Sequence, residues 1–129
     1  MRASGAEVVD VAEKDDLGRR GEDLAASWAR EQGWQVLTRN WRGEGGELDL
    51  VARDGDELVV VEVKTRSGTA FGDPIAAVTP AKVARLRRLT GLWLAAHEVR
   101  PRGVRLDVIG ILWPRGGPPL LTHVPGVGS

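Results

Sequence analysis

Three charged side chains in the middle of the sequence have types and a spacing that could bind a metal ion and support chemistry on it. Asp49 stands between two leucines, and the triplet Glu62-Val63-Lys64 follows a run of apolar residues later in the chain. Burying a carboxylate or an ammonium group is costly unless the group is paired or binds a metal ion. The apolar surroundings of these residues therefore indicate a candidate site.

The two segments that carry these residues predict a β-hairpin. Residues 47–53 alternate, with Leu48, Leu50 and Ala52 expected on one face and Asp49 on the other. Residues 57–66 form a valine-rich strand, and the Asp-Gly pair at 54–55 is a strong turn signal. The sequence therefore predicts two antiparallel neighbours joined by a tight turn.

Two registers of this hairpin are open. A two-residue loop pairs Glu47 with Glu62, whereas a loop two residues longer places Asp49 directly opposite Glu62. Because strand side chains repeat with a period of two, either register puts all three acids on one face, together with Lys64. Opposite or diagonal neighbours have Cβ atoms ~5–8 Å apart.

Carboxylates this close repel each other unless a cation lies between them, and oxygen ligands without cysteine or histidine favour Mg²⁺ or Mn²⁺. Such an ion could polarise a phosphate oxygen and orient a water molecule for attack. Lys64 could orient that water or neutralise charge on the phosphate. The alternative interpretation is that Glu62 and Lys64 are solvated strand residues and that Asp49 merely pairs with Lys64.

Glu22 is a possible fourth member of the site. It lies on a predicted helix beside the small residues Gly21, Ala25 and Ala29. Small residues allow a helix to approach a sheet closely, so Glu22 could reach the carboxylate pair and act as a further metal ligand.

The remaining elements follow from capping and periodicity. A helix is predicted from about residue 17 to 32, and a second helix, capped by Thr79 with Pro80 in its first turn, from 80 to 97. Strands are predicted at 34–41 and 104–112, which gives the order αβββαβ in an α/β fold with a mixed central sheet flanked by helices. Residues 1–14 are expected to be a flexible tail, 15–113 the working domain, and 114–129 a Pro/Gly-rich tail.

The composition of the chain limits the classes of protein and the kinds of site that are possible. The chain has 129 residues, no cysteine and a formal net charge of zero. There is no thiolate metal site or thiol nucleophile, and the N-terminus does not resemble a signal peptide. These features predict a cytoplasmic protein without a membrane segment, and they leave a nucleic-acid partner to be argued from local charge.

Four basic residues are candidates for phosphate contacts: Arg42, Arg66, Lys82 and Arg85. For Arg42, Lys82 and Arg85 the alternative is a solvated surface position. Trp41, between Asn40 and Arg42, is the tryptophan best placed to stack on a base. Asp107 is expected to have a structural role, and His123 is expected to be incidental.

Four segments of the chain resemble the small bacterial YraN-type proteins, an uncharacterised family of the restriction-endonuclease-like PD-(D/E)xK fold. They are GRRGEDLAASWAREQGW, NWRGEGGELDLVARDGDELVVVEVKTRSG, FGDPIAAVTPAKVARL and VRLDVIGI, which together span roughly residues 17–112. The resemblance implies that Asp49, Glu62 and Lys64 are the catalytic triplet and that Glu22 is the helix-borne acid. It also implies that Asp49, Glu62 and the Val63 carbonyl bind the metal.

The function expected from this resemblance is a Mg²⁺- or Mn²⁺-dependent DNA endonuclease that acts on branched or structured DNA, as the related Holliday-junction resolvases do. A resolvase-like role would favour a homodimer. The alternatives are a non-catalytic nucleic-acid-binding module and an adaptor that retains the nuclease fold.

Overall fold

The fold is taken from a computed structural model that describes residues 2–68 and 72–128. The helices are α1 (Arg2–Glu31) and α2 (Pro80–Ala96), with a short 3-10 helix (Pro74–Ala77) before α2. The strands are β1 (Gln35–Gly43), β2 (Gly46–Asp54), β3 (Glu57–Arg66), β4 (Gly103–Leu112) and β5 (Leu120–Val124).

The five strands form one mixed sheet in the order β1-β2-β3-β4-β5. All neighbouring pairs are antiparallel except β3 and β4, which run parallel from Glu57↔Gly103 to Arg66↔Leu112. A parallel connection needs a crossover, and α2 lies in the chain between these two strands. This is the αβββαβ core of a restriction-endonuclease-like fold, as the sequence predicts.

Each helix covers one face of the sheet. On α1, Ala25, Ala26 and Ala29 are fully buried against one apolar cluster, which includes Val61 and Ile109. A second cluster on the other face is made by α2, whose buried residues include Leu86, Leu89 and Trp93. The spacing of three and four residues on each helix matches one turn, so each buried set forms a single stripe.

The β2–β3 hairpin takes the second of the two predicted registers. Asp54 pairs with Glu57 and Leu50 with Val61, which is the register expected to set Asp49 opposite Glu62, although the regular ladder ends at Leu50, one residue before Asp49. The turn is closed by Gly55, whose φ of 61° suits glycine.

The predicted alternation of β2 is wrong at its beginning. Leu48 packs with Val51 in the α2 cluster, whereas Leu50 lies in the α1 cluster. The regular β2–β3 ladder ends at Leu50, and Asn40, on the neighbouring strand, has a φ of 52°. The backbone is therefore irregular where Asp49 leaves the strand pattern.

Helix α1 begins at Arg2 rather than near residue 17, so the segment predicted as a tail is largely helical. Extending an existing helix costs little because each added residue gains a hydrogen bond, and residues 2–14 contain no proline. The division into tail and domain stays a prediction. Within the described ranges, neither helix has the length and apolar character needed to span a membrane.

The second predicted tail contains a strand. Leu120–Val124 pairs antiparallel with β4, from Val108↔Val124 to Leu112↔Leu120. The prolines and glycines of 114–129 flank these five residues and do not interrupt them. An edge strand bonds on one side only, so the flanking prolines are compatible with it.

Candidate functional site

The predicted catalytic residues line one open cavity of about 320 Å³. The cavity lies where β2 and β3 meet α1 and the first turns of α2. Its acidic residues are Glu22, Glu47, Asp49 and Glu62, its basic residues are Lys64, Lys82 and Arg85, and Val63 also lines it. Side chains from four elements therefore meet at one place.

Glu62 is the most deeply buried acid of the cavity, with 5% of its surface exposed. Its Oε2 atom lies 2.6 Å from Nζ of Lys82 and 4.0 Å from Nζ of Lys64. The lysine that pairs closely with the motif glutamate therefore comes from α2 and not from the Glu-x-Lys triplet itself. The sequence predicts Lys82 as a phosphate contact, and no pattern in it indicates this pairing with Glu62.

Asp49 is held by the backbone of the next strand. Its Oδ2 accepts a hydrogen bond of 2.9 Å from the amide of Val63. Burial, followed by the negative charge of Glu62, raises the pKa of Asp49 to about 7, although the Val63 hydrogen bond opposes this shift. The two carboxylates thus interact electrostatically, as either predicted register required.

Glu22 reaches the cavity because α1 lies unusually close to β3. Gly21 is buried, and a Cβ at this position would overlap the hydroxyl of Thr65. Burial raises the pKa of Glu22, and a hydrogen bond with the side chain of Asn40 lowers it. The structure therefore agrees with the predicted close helix approach, and it adds a contact with Asn40 that no sequence pattern indicates.

Lys64 is partly buried and lies among other cations. Desolvation lowers its pKa, the charge of Lys82 lowers it further, and that of Glu62 opposes both effects. A less tightly held proton on this amine is suited to proton transfer or to hydrogen bonding with a water molecule.

The donor chemistry of the cavity fits a hard divalent cation. Asp49 and Glu62 supply carboxylate oxygens, and the raised pKa of Asp49 shows that a positive charge beside it would be stabilising. Across the described part of the chain, no three acidic or histidine side chains already form a metal-binding group. This does not conflict with Mg²⁺, which keeps several waters and often uses one or two carboxylates.

The four predicted nucleic-acid-binding residues fall into different environments. Lys82 and Arg85 line the cavity. Arg42 is 85% exposed and lies 3.5 Å from Glu47. Arg66 does not line the cavity, although its charge lowers the pKa of Lys64; its Nε is buried, without a hydrogen-bond partner in the parts of the chain that the structure describes.

Trp41 is less available for stacking on a base than the sequence suggests. It is partly buried, packs against the α2 cluster, and makes an edge contact with His97 at 6.2 Å between ring centroids. Gly43 lies so close that a side chain there would meet the Trp41 ring. Packing against α2 is therefore enough to explain why a tryptophan is found at position 41.

A second polar cluster lies on β4, away from the cavity. Asp107 is fully buried and accepts hydrogen bonds from Arg105, at 2.9 and 3.1 Å, and from the amide of Gly126, at 3.0 Å. His123 Nε2 lies 2.7 Å from the same carboxylate, and its ring packs on Trp28. His123 therefore has a structural role that the sequence did not reveal, because β5 was not predicted.

Comparisons with known proteins agree on one family. Residues 21–111 match the family described as "Uncharacterised protein family UPF0102". A UPF0102 protein of Beutenbergia cavernae is 54% identical over 115 residues, which cover 89% of this chain and 98% of the relative. A UPF0102 protein of Kineococcus radiotolerans is 54% identical over 121 residues, covering 93% and 99%.

A third relative, a UPF0102 protein of Streptomyces coelicolor, is 52% identical over 120 residues, with 92% of each chain covered. The match includes Glu22, Asp49, Glu62 and Lys64 within its bounds. The resemblance to an uncharacterised bacterial family that the sequence motifs suggested is thus confirmed. The chain belongs to the uncharacterised protein family UPF0102.

Proposed function

We propose that this protein is a divalent-metal-dependent endonuclease that hydrolyses phosphodiester bonds in branched or otherwise structured DNA. The observation that carries the proposal is the convergence of Asp49, Glu62 and Lys64 on one cavity, with Glu22 approaching from α1. The part of the proposal that concerns DNA structure rests on the similarity of the fold to Holliday-junction resolvases.

Each residue has a role that its surroundings support. Asp49 and Glu62 would hold Mg²⁺ or Mn²⁺, with the Val63 carbonyl and Glu22 as further oxygen ligands. The bound ion would supply Lewis-acid activation of the phosphate and of a water molecule. Lys64, whose pKa is lowered by burial, would orient that water and offset negative charge that develops on the phosphate.

The charge around the cavity supports a polyanionic substrate. A cavity lined by four acids would by itself repel a phosphate. Lys82 and Arg85 from α2 lie in the same cavity, and each can offset one phosphate charge. A net charge of zero for the whole chain is compatible with this local arrangement.

The test is a cleavage assay on a four-way DNA junction and on a linear duplex of the same sequence, with Mg²⁺ or Mn²⁺. We expect metal-dependent nicking of the junction, and we expect Glu62→Gln to reduce it by about a thousandfold or more, because one of the two principal metal ligands is weakened. Glu57→Gln is the matched control, since Glu57 lies at the other end of β3 and contacts Arg105.

The ion pair between Glu62 and Lys82 favours a second candidate, a nucleic-acid-binding module without turnover. In that case a lysine permanently neutralises the acid that would otherwise bind metal. The same assay separates the two functions: salt-dependent binding of the junction without cleavage by any divalent ion would support the module. Cleavage that survives Glu62→Gln would argue against both assignments of this site.

A further inference from the structure

Lys82 lies outside the Asp…Glu-x-Lys motif, yet it makes the closest ion pair that the described residues give to Glu62. Its Nζ is 2.6 Å from Oε2 of Glu62, compared with 4.0 Å for Nζ of Lys64. The side chains of Lys82 and Glu62 are only 19% and 6% exposed. Both charges are thus largely withdrawn from water, and each depends on the other for compensation.

The backbone of Lys82 is held in place by a helix cap, whereas its long side chain is free to change conformation. Thr79 caps α2 by accepting a hydrogen bond of 3.2 Å from the Lys82 amide. A lysine stem has four rotatable carbons, so its ammonium group can move while the helix stays in place. The next basic residue along this helix face, Arg85, also lines the cavity but has no ion pair with Glu62 among the described contacts.

The Oε2 atom of Glu62, which pairs with the Lys82 ammonium group, is also an oxygen that would bind a divalent cation. Mg²⁺ binds carboxylate oxygens at roughly 2.0–2.1 Å. An ammonium nitrogen that stayed 2.6 Å from the same oxygen would lie within a few ångströms of that ion, and the two positive charges would repel each other strongly in a partly buried site.

We propose that Lys82 competes with the divalent cation for Glu62, so that cation binding displaces the Lys82 ammonium into the cavity and the lysine sets the cation affinity of the site. This inference rests on the proposed metal site. Lys82 is then a positioning residue: it keeps the buried Glu62 compensated before the cation arrives, and afterwards its charge faces the space that a phosphate would enter.

The test measures Mn²⁺ binding to the full chain by calorimetry and by the electron paramagnetic resonance signal of free Mn²⁺, without any DNA. Lys82→Met should bind Mn²⁺ at least about tenfold more tightly than the wild type, because no ammonium has to be displaced. Its melting temperature without metal should fall, because Glu62 loses its closest partner. A merely structural lysine would not produce tighter binding.

Two further variants serve as controls. Arg85→Met removes one positive charge from the same cavity and helix, and it should tighten Mn²⁺ binding by less than about threefold, since Arg85 is exposed and its charge is screened by water and salt. Lys82→Arg keeps a cation beside Glu62 and should bind Mn²⁺ much as the wild type does. If Lys82→Met does not fold, Lys82→Gln takes its place, because it offers Glu62 a neutral polar partner and should also bind Mn²⁺ more tightly than the wild type.

Equal or weaker Mn²⁺ binding by Lys82→Met would overturn the inference. So would equal tightening in Lys82→Met and Arg85→Met, because only net charge would then matter. If no variant binds Mn²⁺, the proposed function fails as well. If Lys82→Met binds Mn²⁺ more tightly but the wild type cleaves no DNA, the inference holds and the nuclease activity does not.

Discussion

Two aspartates on strands that flank β3 have opposite surroundings. Asp107, on β4, is surrounded by donors: the Arg105 guanidinium, the Gly126 amide and His123 all contact its two oxygens. Asp49, on β2, accepts a hydrogen bond from the Val63 amide, and its burial, followed by the negative charge of Glu62, raises its pKa to about 7. One charge is compensated by fixed groups, and the other is not.

The difference shows why residue type alone does not reveal a site. A buried carboxylate whose hydrogen-bonding capacity is filled by the protein has nothing left for a ligand, and its contribution is to stability. A buried carboxylate placed near other carboxylates is destabilised in its charged form, and an added cation would relieve that. Asp49 is the carboxylate that a cation would stabilise, whereas Asp107 is the carboxylate that the protein itself compensates.

The largest expected effect is the loss of the Asp107 cluster. Asp107→Asn should lower the free energy of unfolding by roughly 3–5 kcal/mol, because the fully buried side chain loses its negative charge beside Arg105 and its amide nitrogen would face donors where an oxygen now accepts, even though Arg105 keeps Glu57. Urea denaturation at pH 7 measures the change. Asp56→Asn, at an exposed turn position, is the control and should change stability by less than about 0.5 kcal/mol. A loss below about 1 kcal/mol for Asp107→Asn would remove the contrast between the two aspartates.

The second prediction has the opposite sign: Asp49→Asn should stabilise the protein at pH 8. Below pH 3.8 the folded and unfolded chains both carry the proton on Asp49; between 3.8 and about 7 only the unfolded chain releases it, so rising pH destabilises the fold. The variant lacks this penalty and should gain on the order of 2–4 kcal/mol at pH 8.

The measurement for Asp49→Asn is urea denaturation of both proteins from pH 4 to pH 8. The stability difference should be small at pH 4, grow up to about pH 7 and then level off. A variant that is less stable than the wild type at pH 8 would mean that the Val63 hydrogen bond outweighs burial and repulsion at Asp49.

The smallest expected effect concerns the helix that carries Lys82. Thr79→Ala removes the side chain that caps α2 and should cost about 1 kcal/mol of unfolding free energy, measured by urea denaturation. Thr122→Ala, at an exposed position of β5, is the matched control and should be nearly neutral. If the two variants behave alike, the cap contributes little to holding this end of α2 beside Glu62.

The parts of the site that the sequence predicts are those set by local geometry. The period of two along a strand placed Glu62 and Lys64 on one face, and the Asp-Gly turn signal restricted the hairpin to two registers. Small residues on α1 predicted the close approach that brings Glu22 to the cavity. All of these depend on neighbours in the chain or on a single element.

The features that were missed depend on contacts between distant segments. The pairing of Lys82 with Glu62 requires the packing of α2 against the sheet, which no local pattern specifies. The role of His123 requires β5, a five-residue edge strand between prolines, whose formation depends on the exposed edge of β4. Whether Trp41 is available for stacking likewise depends on what α2 covers.

The missing side chain at Gly21 has a practical consequence for redesign. Because the main chain of α1 rests against Thr65, excluded volume fixes the helix at this point, whatever residue follows it. Glu22 can therefore be replaced by a neutral or a longer residue without moving the contact between α1 and Thr65. Because the position of α1 does not depend on the side chain at residue 22, the acids that line the cavity can be changed one at a time.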